Sequence, residues 1–193
     1  MNILAFTDIH GDQQRIADLK EAASHADIAI CAGDITMGGH NIESIIESLS
    51  ELPCDVYIIH GNHEEPQTLR SLSLITDGIT YIHKQIIDLD DHHLIGYGGE
   101  GFSFTTDDFE AFIKNTPIPK SNIILVTHQP PHNTALDRLG GRQAGNNSFR
   151  SFIDAHPVIL SLSGHIHENF GVQDTVNNVT YMNPGPDGII LTV

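Results

Sequence analysis

The chain has 193 residues, the size of one domain built around a single hydrophobic core, and residues 1–193 read as one such domain. Its 25 acidic and 9 basic residues give a formal net charge of -16, which argues against a general nucleic-acid-binding surface but leaves an anionic small substrate open, because bound cations reverse charge locally. No apolar run approaches ~20 residues, no basic segment precedes a long apolar stretch at the start, and the two cysteines form no CxxC pair, so a membrane span, a secretory leader and a thiolate site are poor readings and a cytoplasmic location is expected.

Residues 2–6 form an apolar run that reads as a buried first strand. Helical spacing follows at residues 13–23, where Ile16, Leu19, Ala22 and Ala23 share a face. Residues 27–32 read as a second strand and 41–52 as a second helix. Residues 56–60 are a third strand, and Pro66, suited to a first helical turn, opens a short helix to Leu72. Strands alternating with helices imply parallel pairing through right-handed crossovers. The pattern then changes. Residues 79–83, 85–90 and 94–97 are strand-like with short connections, which predicts antiparallel hairpins. Residues 107–115 read as a helix, 122–127 as a strongly apolar strand, 148–156 as a helix and 157–161 as a strand. A last set of strands follows from Gly171, at 179–182 and 188–193. The longest irregular stretch, 130–147, is rich in Gly, Asn and Arg, and a loop of that length is expected to be functional.

The polar residues are placed informatively. Asp8 and His10 follow the first strand, Asp34 the second, and Asn62 and His63 the third. His128 follows the strand at 122–127, and His165 and His167 that at 157–161. Ligand sites in open α/β sheets form at the carboxyl ends of strands, so five clusters of metal-ligand type predict a site at one sheet edge. Asp8-x-His10 and His165-x-His167 are i, i+2 pairs, whose side chains point the same way in extended backbone. Gly11, Gly33, Gly61 and Gly164 flank the clusters and allow the chain to turn closely around an ion. Carboxylate and imidazole donors without thiolate suit manganese, iron, zinc, cobalt or nickel.

Asp8-Ile9-His10, Gly33-Asp34, Gly61-Asn62-His63-Glu64, His128 and Gly164-His165-Ile166-His167 stand in the order found in calcineurin-like metallophosphoesterases. The chain resembles that family from residue 8 to Asn183-Pro184-Gly185. The stretches Thr127-His128-Gln129-Pro130-Pro131 and Met182-Asn183-Pro184-Gly185-Pro186 resemble its small, single-domain prokaryotic branch. The resemblance implies a four-layer α/β/β/α sandwich, two mixed sheets flanked by helices. It also implies two divalent metal ions, with manganese favoured. Asp8, His10 and His167 would hold one ion, Asn62, His128 and His165 the other, and Asp34 would bridge them. His63 would face the substrate instead of binding metal. The family's second motif often ends in an acid where this chain has Met37, so the contact an acid would make there is absent.

The implied activity is hydrolysis of a small phosphate ester, a diester in preference to a monoester, by a metal-bridging hydroxide. Two ions ~3.5–4 Å apart lower the pKa of a shared water from ~15.7 toward ~7. The centre would keep a charge of about +1 within the acidic chain. Asp34 and His63 are then the catalytic residues, with His63 protonating the leaving group or stabilising its charge. Asn62, His63 and Arg142 are the candidate substrate contacts; Arg138, Arg142 and Arg150 all lie between His128 and His165, and Arg142 sits in the Gly-rich part. Ordinary surface charge is the plainer account of those arginines. Other readings of the whole chain are a phosphomonoester or phosphoprotein phosphatase and a non-catalytic metal-binding scaffold. His132 reads as a surface residue and His60 as structural, and Glu64 as orienting a ligand or capping the next helix. The segment 98–104, GGEGFSF, lacks the lysine pattern of a phosphate loop, and Phe102 and Phe104 read as core packing in preference to pocket lining.

Overall fold

The computed structural model describes residues 1–99 and 101–193, so Glu100 of the Gly-rich segment lies outside the described residues. Strands β1 (Asn2–Phe6), β2 (Ile28–Cys31), β3 (Asp55–Ile58) and β4 (Ile79–Tyr81) alternate with helices α1 (Gln13–Ala23), α2 (Ile42–Ser50) and α3 (Pro66–Ser73). The four strands pair in parallel and in chain order. They are apolar on both faces because both faces are covered. Leu4, Phe6, Cys31, Val56 and Ile58 pack against Ile16, Leu19, Ile45, Ile46, Leu49 and Leu69 of the helices, while Ile3, Ala5, Ile28 and Ile30 face the opposite side. Local chemistry sets two of the helix starts. The Asp12 side chain accepts the N–H groups of Gln14 and Arg15 at the head of α1, and Glu65 accepts that of Thr68 at the head of α3, where Pro66 needs no partner.

The rest of the chain contributes β5 (Gln85–Leu89), β6 (His92–Tyr97), α4 (Asp107–Lys114), β7 (Ile123–Thr127), β8 (Arg138–Leu139), β9 (Arg142–Gln143) and α5 (Asn147–Ala155). It ends with β10 (Val158–Leu162), β11 (Gln173–Val176), β12 (Val179–Met182) and β13 (Ile189–Thr192). A second sheet has the order β11-β12-β10-β7-β6-β5, with its central four strands parallel and both edges antiparallel. β13 returns to the first sheet, antiparallel to β1. Ile3, Ala5 and Ile30 meet Ile124, Val126, Leu160 and Leu162 between the sheets. Phe109 of α4 and Phe149, Phe152 and Ile153 of α5 cover the far side of the second sheet, over Ile95, Tyr97, Leu125 and Tyr181. The layers are thus helix, sheet, sheet, helix, and both large sheets are mixed. Among the described residues no helix is long and apolar enough to cross a membrane.

The segment after α3 departs from the hairpins that its spacing predicts. β5 and β6 do form one, but β4 pairs in parallel with β3 on the edge of the first sheet. The burial pattern explains the switch: Ile79 and Tyr81 pack with the helix-side core, while Ile82 reaches the layer between the sheets. The chain turns between sheets at Lys84, which has a φ of 55°. The irregular stretch 130–147 contains a helical turn (Ala135–Asp137) and the β8–β9 hairpin.

His83 sits at this change of sheet. Its Nδ1 accepts the Gly98 N–H at 2.9 Å, and its ring lies 4.7 Å from that of His60. Burial, then the neighbouring Lys84 charge, push its pKa down to about 4. The unfolded chain therefore takes up this proton first, so His83's contribution to stability is complete above pH ~6.5 and declines as pH falls toward about 4. An NMR titration of the His83 ring should give a midpoint near that value. His83→Leu should lose less stability than the parent between about pH 7 and about pH 5.

Candidate metal centre

The loops after β1, β2, β3, β7 and β10 meet at one rim. This rim is where the carboxyl ends of two sheets converge, and not the edge of one sheet as the strand-end pattern suggests. The first sheet brings Asp8, His10, Asp34, Asn62 and His63; the second brings His128, His165 and His167. Hydrogen bonds cross between them. His128 Nδ1 donates to the Ala32 carbonyl at 2.8 Å, and the His165 N–H donates to Asp8 Oδ2 at 3.0 Å. Gly164 permits this approach, since a Cβ there would overlap the Thr7 hydroxyl and the Asp8 carboxylate.

The backbone around the site is left-handed, not extended. Asp8, His10, Asp34 and His165 have φ of 55°, 48°, 53° and 69°. The two i, i+2 pairs therefore behave differently: Asp8 and His10 stay together and are joined by His167, whereas His165 parts from His167 and joins Asp34 and His128. Such conformations cost of order 1–3 kcal/mol each and persist where surrounding bonds impose them. Here the Asp8 N–H donates to the Gly33 carbonyl at 2.9 Å and the His10 N–H to that of Asp34 at 3.1 Å. The parallel ladder of β1 and β2 thus continues past the strands into the loops.

The ligand-type atoms fall into three overlapping groups: Asp8, His10 and His167; His10, Asp34 and His63; Asp34, His128 and His165. In each, one donor atom per residue lies within 4.8 Å of the others. His10 and His167 face each other through Nε2 atoms 3.2 Å apart, and Asp8 Oδ1 is 3.4 Å from His167 Nε2. Asn62 Oδ1 and Asp34 Oδ2 stand 3.2 and 3.3 Å from His128 Nε2. The inner group is buried at Asp34 and His128, while in the outer group the His167 side chain is 52% exposed.

These atoms suit a cation. His10 Nδ1 donates to the Thr36 carbonyl at 3.1 Å, just as His128 Nδ1 does to Ala32. Each neutral ring then turns a bare Nε2 lone pair toward other acceptors, the arrangement that outer hydrogen bonds impose on metal-binding histidines. Asp8 Oδ1 and His165 Nε2 are buried and have no hydrogen-bond partner. Buried ligand-type atoms without partners suit a positive charge beside each. Electrostatics agrees. Burial lowers the pKa of His128, but the Asp34 hydrogen bond and charge outweigh it and raise the net value. Burial raises that of Asp34, and the His128 hydrogen bond and charge more than reverse this, holding it at about 2. Burial, followed by His128, lowers His165 to about 4, so that ring stays neutral.

His63 differs. Its Nδ1 accepts the Gly38 N–H at 3.1 Å, so a neutral ring carries its proton on Nε2, 3.9 Å from Asp34 Oδ2. Arg142 lies exposed on β9, and its side chain makes no hydrogen bond or ion pair among the described residues. Arg150 is taken up by both Asp154 oxygens, at 2.9 and 3.0 Å. Glu64 orients and does not cap; the cap is Glu65. The buried Glu64 carboxylate accepts the N–H groups of Asp34, Thr36 and Gly61 and the Thr36 hydroxyl. Phe102 and Phe104 are not core residues: they are 64% and 60% exposed, beside His165 and His132. The loop holds them outward, so core packing is the wrong account.

Several residues that shape the site carry little sequence signal. Thr7 donates its hydroxyl to Asp8 Oδ2 at 2.7 Å. The buried Asn183 donates to the Ile166 carbonyl at 3.2 Å and so fastens the loop bearing His165 and His167. Ala32, Thr36 and Gly38 act through backbone atoms, which side-chain identity does not reveal; only the position of Asn183 in its motif hints at its role.

Comparison with known proteins agrees with the fold. Over 200 residues the chain is 28% identical to an uncharacterized protein, MJ1162, of Methanocaldococcus jannaschii, covering 96% of this chain and 88% of that one. It is similar to the crystal structure of TT1561 of Thermus thermophilus, with a TM-score of 0.71 at 15% identity, covering 96% of this chain and 90% of that one. It is also similar to a dimetal phosphatase from Danio rerio, with a TM-score of 0.61 at 12% identity over 94% and 86% of the two chains. The calcineurin-like phosphoesterase profile matches residues 1–169, and the chain belongs to that family of metal-dependent hydrolases.

Proposed function

We propose that this chain hydrolyses small phosphate esters, diesters in preference to monoesters, with two divalent ions held by the seven residues at the rim. Asp8, His10 and His167 would hold one ion, Asn62, His128 and His165 the other, and Asp34 would be shared. One observation carries this reading: Asp34 belongs both to the group with His128 and His165 and to the group with His10 and His63. Bound ions, manganese for preference, would supply an acidified water and positive charge for the phosphoryl oxygens. The chain's own groups do the rest. Asp34, anionic with a pKa held at about 2, keeps the two ligand groups in one register. Asn62 and Arg142 would contact the phosphate. His63, with its proton on Nε2, would donate a hydrogen bond from that N–H to the departing oxygen and stabilise its charge. The reaction would take place in the cytoplasm and on small molecules, since a chain of charge -16 repels nucleic acid.

The test is reconstitution. Metal-free protein is loaded with manganese, nickel or zinc in turn and assayed on mono- and bis-nitrophenyl phosphate, cyclic nucleotides and a phosphopeptide. Turnover that a chelator abolishes and metal restores supports the reading. Two ions bound without turnover of any ester would make the chain a non-catalytic scaffold. His63→Ala should lose about a hundredfold in kcat on alkyl esters and far less on nitrophenyl esters, whose leaving group stabilises its own charge. Equal losses on both would remove His63 from that role.

A further inference from the structure

Phe102 and Phe104 are the exposed aromatic side chains among the large hydrophobic residues described. Their exposure is not loose chain. Between them the Ser103 carbonyl accepts from Gln129 Nε2 at 3.0 Å and from Asn146 Nδ2 at 3.1 Å, and both donors belong to fully buried residues. The Phe104 carbonyl accepts the Asn147 N–H at 2.7 Å. Gln129 adjoins His128, so the segment that presents the rings is tied to the segment that presents a candidate ligand. The Phe102 ring lies 4.5 Å from that of His165, and the Phe104 ring meets His132 edge-on at 5.2 Å. Each ring thus rests on a histidine and leaves most of its surface to water, that of Phe102 beside the candidate ligand His165. A fixed backbone that holds two flat apolar surfaces in solvent is suited to stacking, which tolerates any ring with a π-face.

Building on the esterase reading, we propose that Phe102 and Phe104 seat the organic part of the ester, and that the substrate's alcohol is an aryl or nucleoside group instead of an aliphatic one. The probes are phenyl phosphate and glycerol 3-phosphate, which carry the same charged group. Their binding to manganese-loaded protein is measured by calorimetry and as inhibition of nitrophenyl ester turnover. The parent should bind phenyl phosphate about tenfold more tightly, and F102A/F104A should bring the two near parity. Equal binding by the parent, alongside normal ester turnover, would overturn this proposal alone. So would a preference that survives in the double variant while manganese affinity falls, because the rings would then only shield His165. Binding of neither phosphate by the loaded parent, together with no turnover, would overturn it along with the esterase reading.

Discussion

Asp34→Asn should lower kcat/KM on nitrophenyl phosphates by well over about a hundredfold at saturating manganese. Groups that only orient a metal ligand cost about 10–100-fold when removed, and Asp34 reaches into two ligand groups at once. The substitution is nearly isosteric, so the loss would be chemical. The amide side chain keeps an oxygen for the His63 N–H, which Asp34 Oδ1 accepts at 2.9 Å. Its nitrogen would take the place of Oδ2, 3.3 Å from His128 Nε2, and a neutral ring accepts from it. The fold would therefore stand, with a hydrogen bond where the parent offers an anion to a cation. Elemental analysis should find less metal per chain, and metal-free melting at neutral pH should fall modestly, by what the anionic Asp34 contributes through its lowered pKa. Parent-like turnover in this variant would remove Asp34 from the chemistry.

Glu64→Ala should act on the scaffold. It strips the acceptor from three buried N–H groups, those of Asp34, Thr36 and Gly61, each now bonded at 2.9 or 3.0 Å. An unmet buried donor costs about 1–3 kcal/mol, and removing a carboxylate whose pKa burial raises returns part of that. A net loss of about 3 kcal/mol is expected in urea unfolding of the metal-free protein. Manganese affinity should fall as well, because Glu64 joins the loop bearing Asp34 to the loop bearing Asn62. A variant that unfolds at the parent's urea midpoint would show that water replaces the carboxylate at no cost.

Much of this was readable from residue order. Strand β1 and helix α1 have the predicted bounds because a doubly covered strand and an amphipathic helix leave strong, different periodicities. The seven candidate ligands stood out because each is a polar side chain just past an apolar run. What stayed hidden lies between segments. The move of β4 to the first sheet depends on which layer Ile79, Tyr81 and Ile82 each find. The tautomers of His10 and His128 are set by the carbonyls of Thr36 and Ala32, and a carbonyl is the same in any residue. The outward rings of Phe102 and Phe104 oppose their own hydrophobicity and follow from bonds made by Gln129 and Asn146, distant in sequence.

The two ligand groups are unequal in depth: His128 is sealed from water and His167 stands half in it. An inner ion would be trapped by the protein around it, while an outer one would trade with the surrounding medium. Under a chelator the outer position should empty first, and a second metal offered afterwards would enter there and leave the inner ion in place. Preparations given the same two metals in opposite order would then be different enzymes, so the working composition of the centre would record its loading history as well as its affinities.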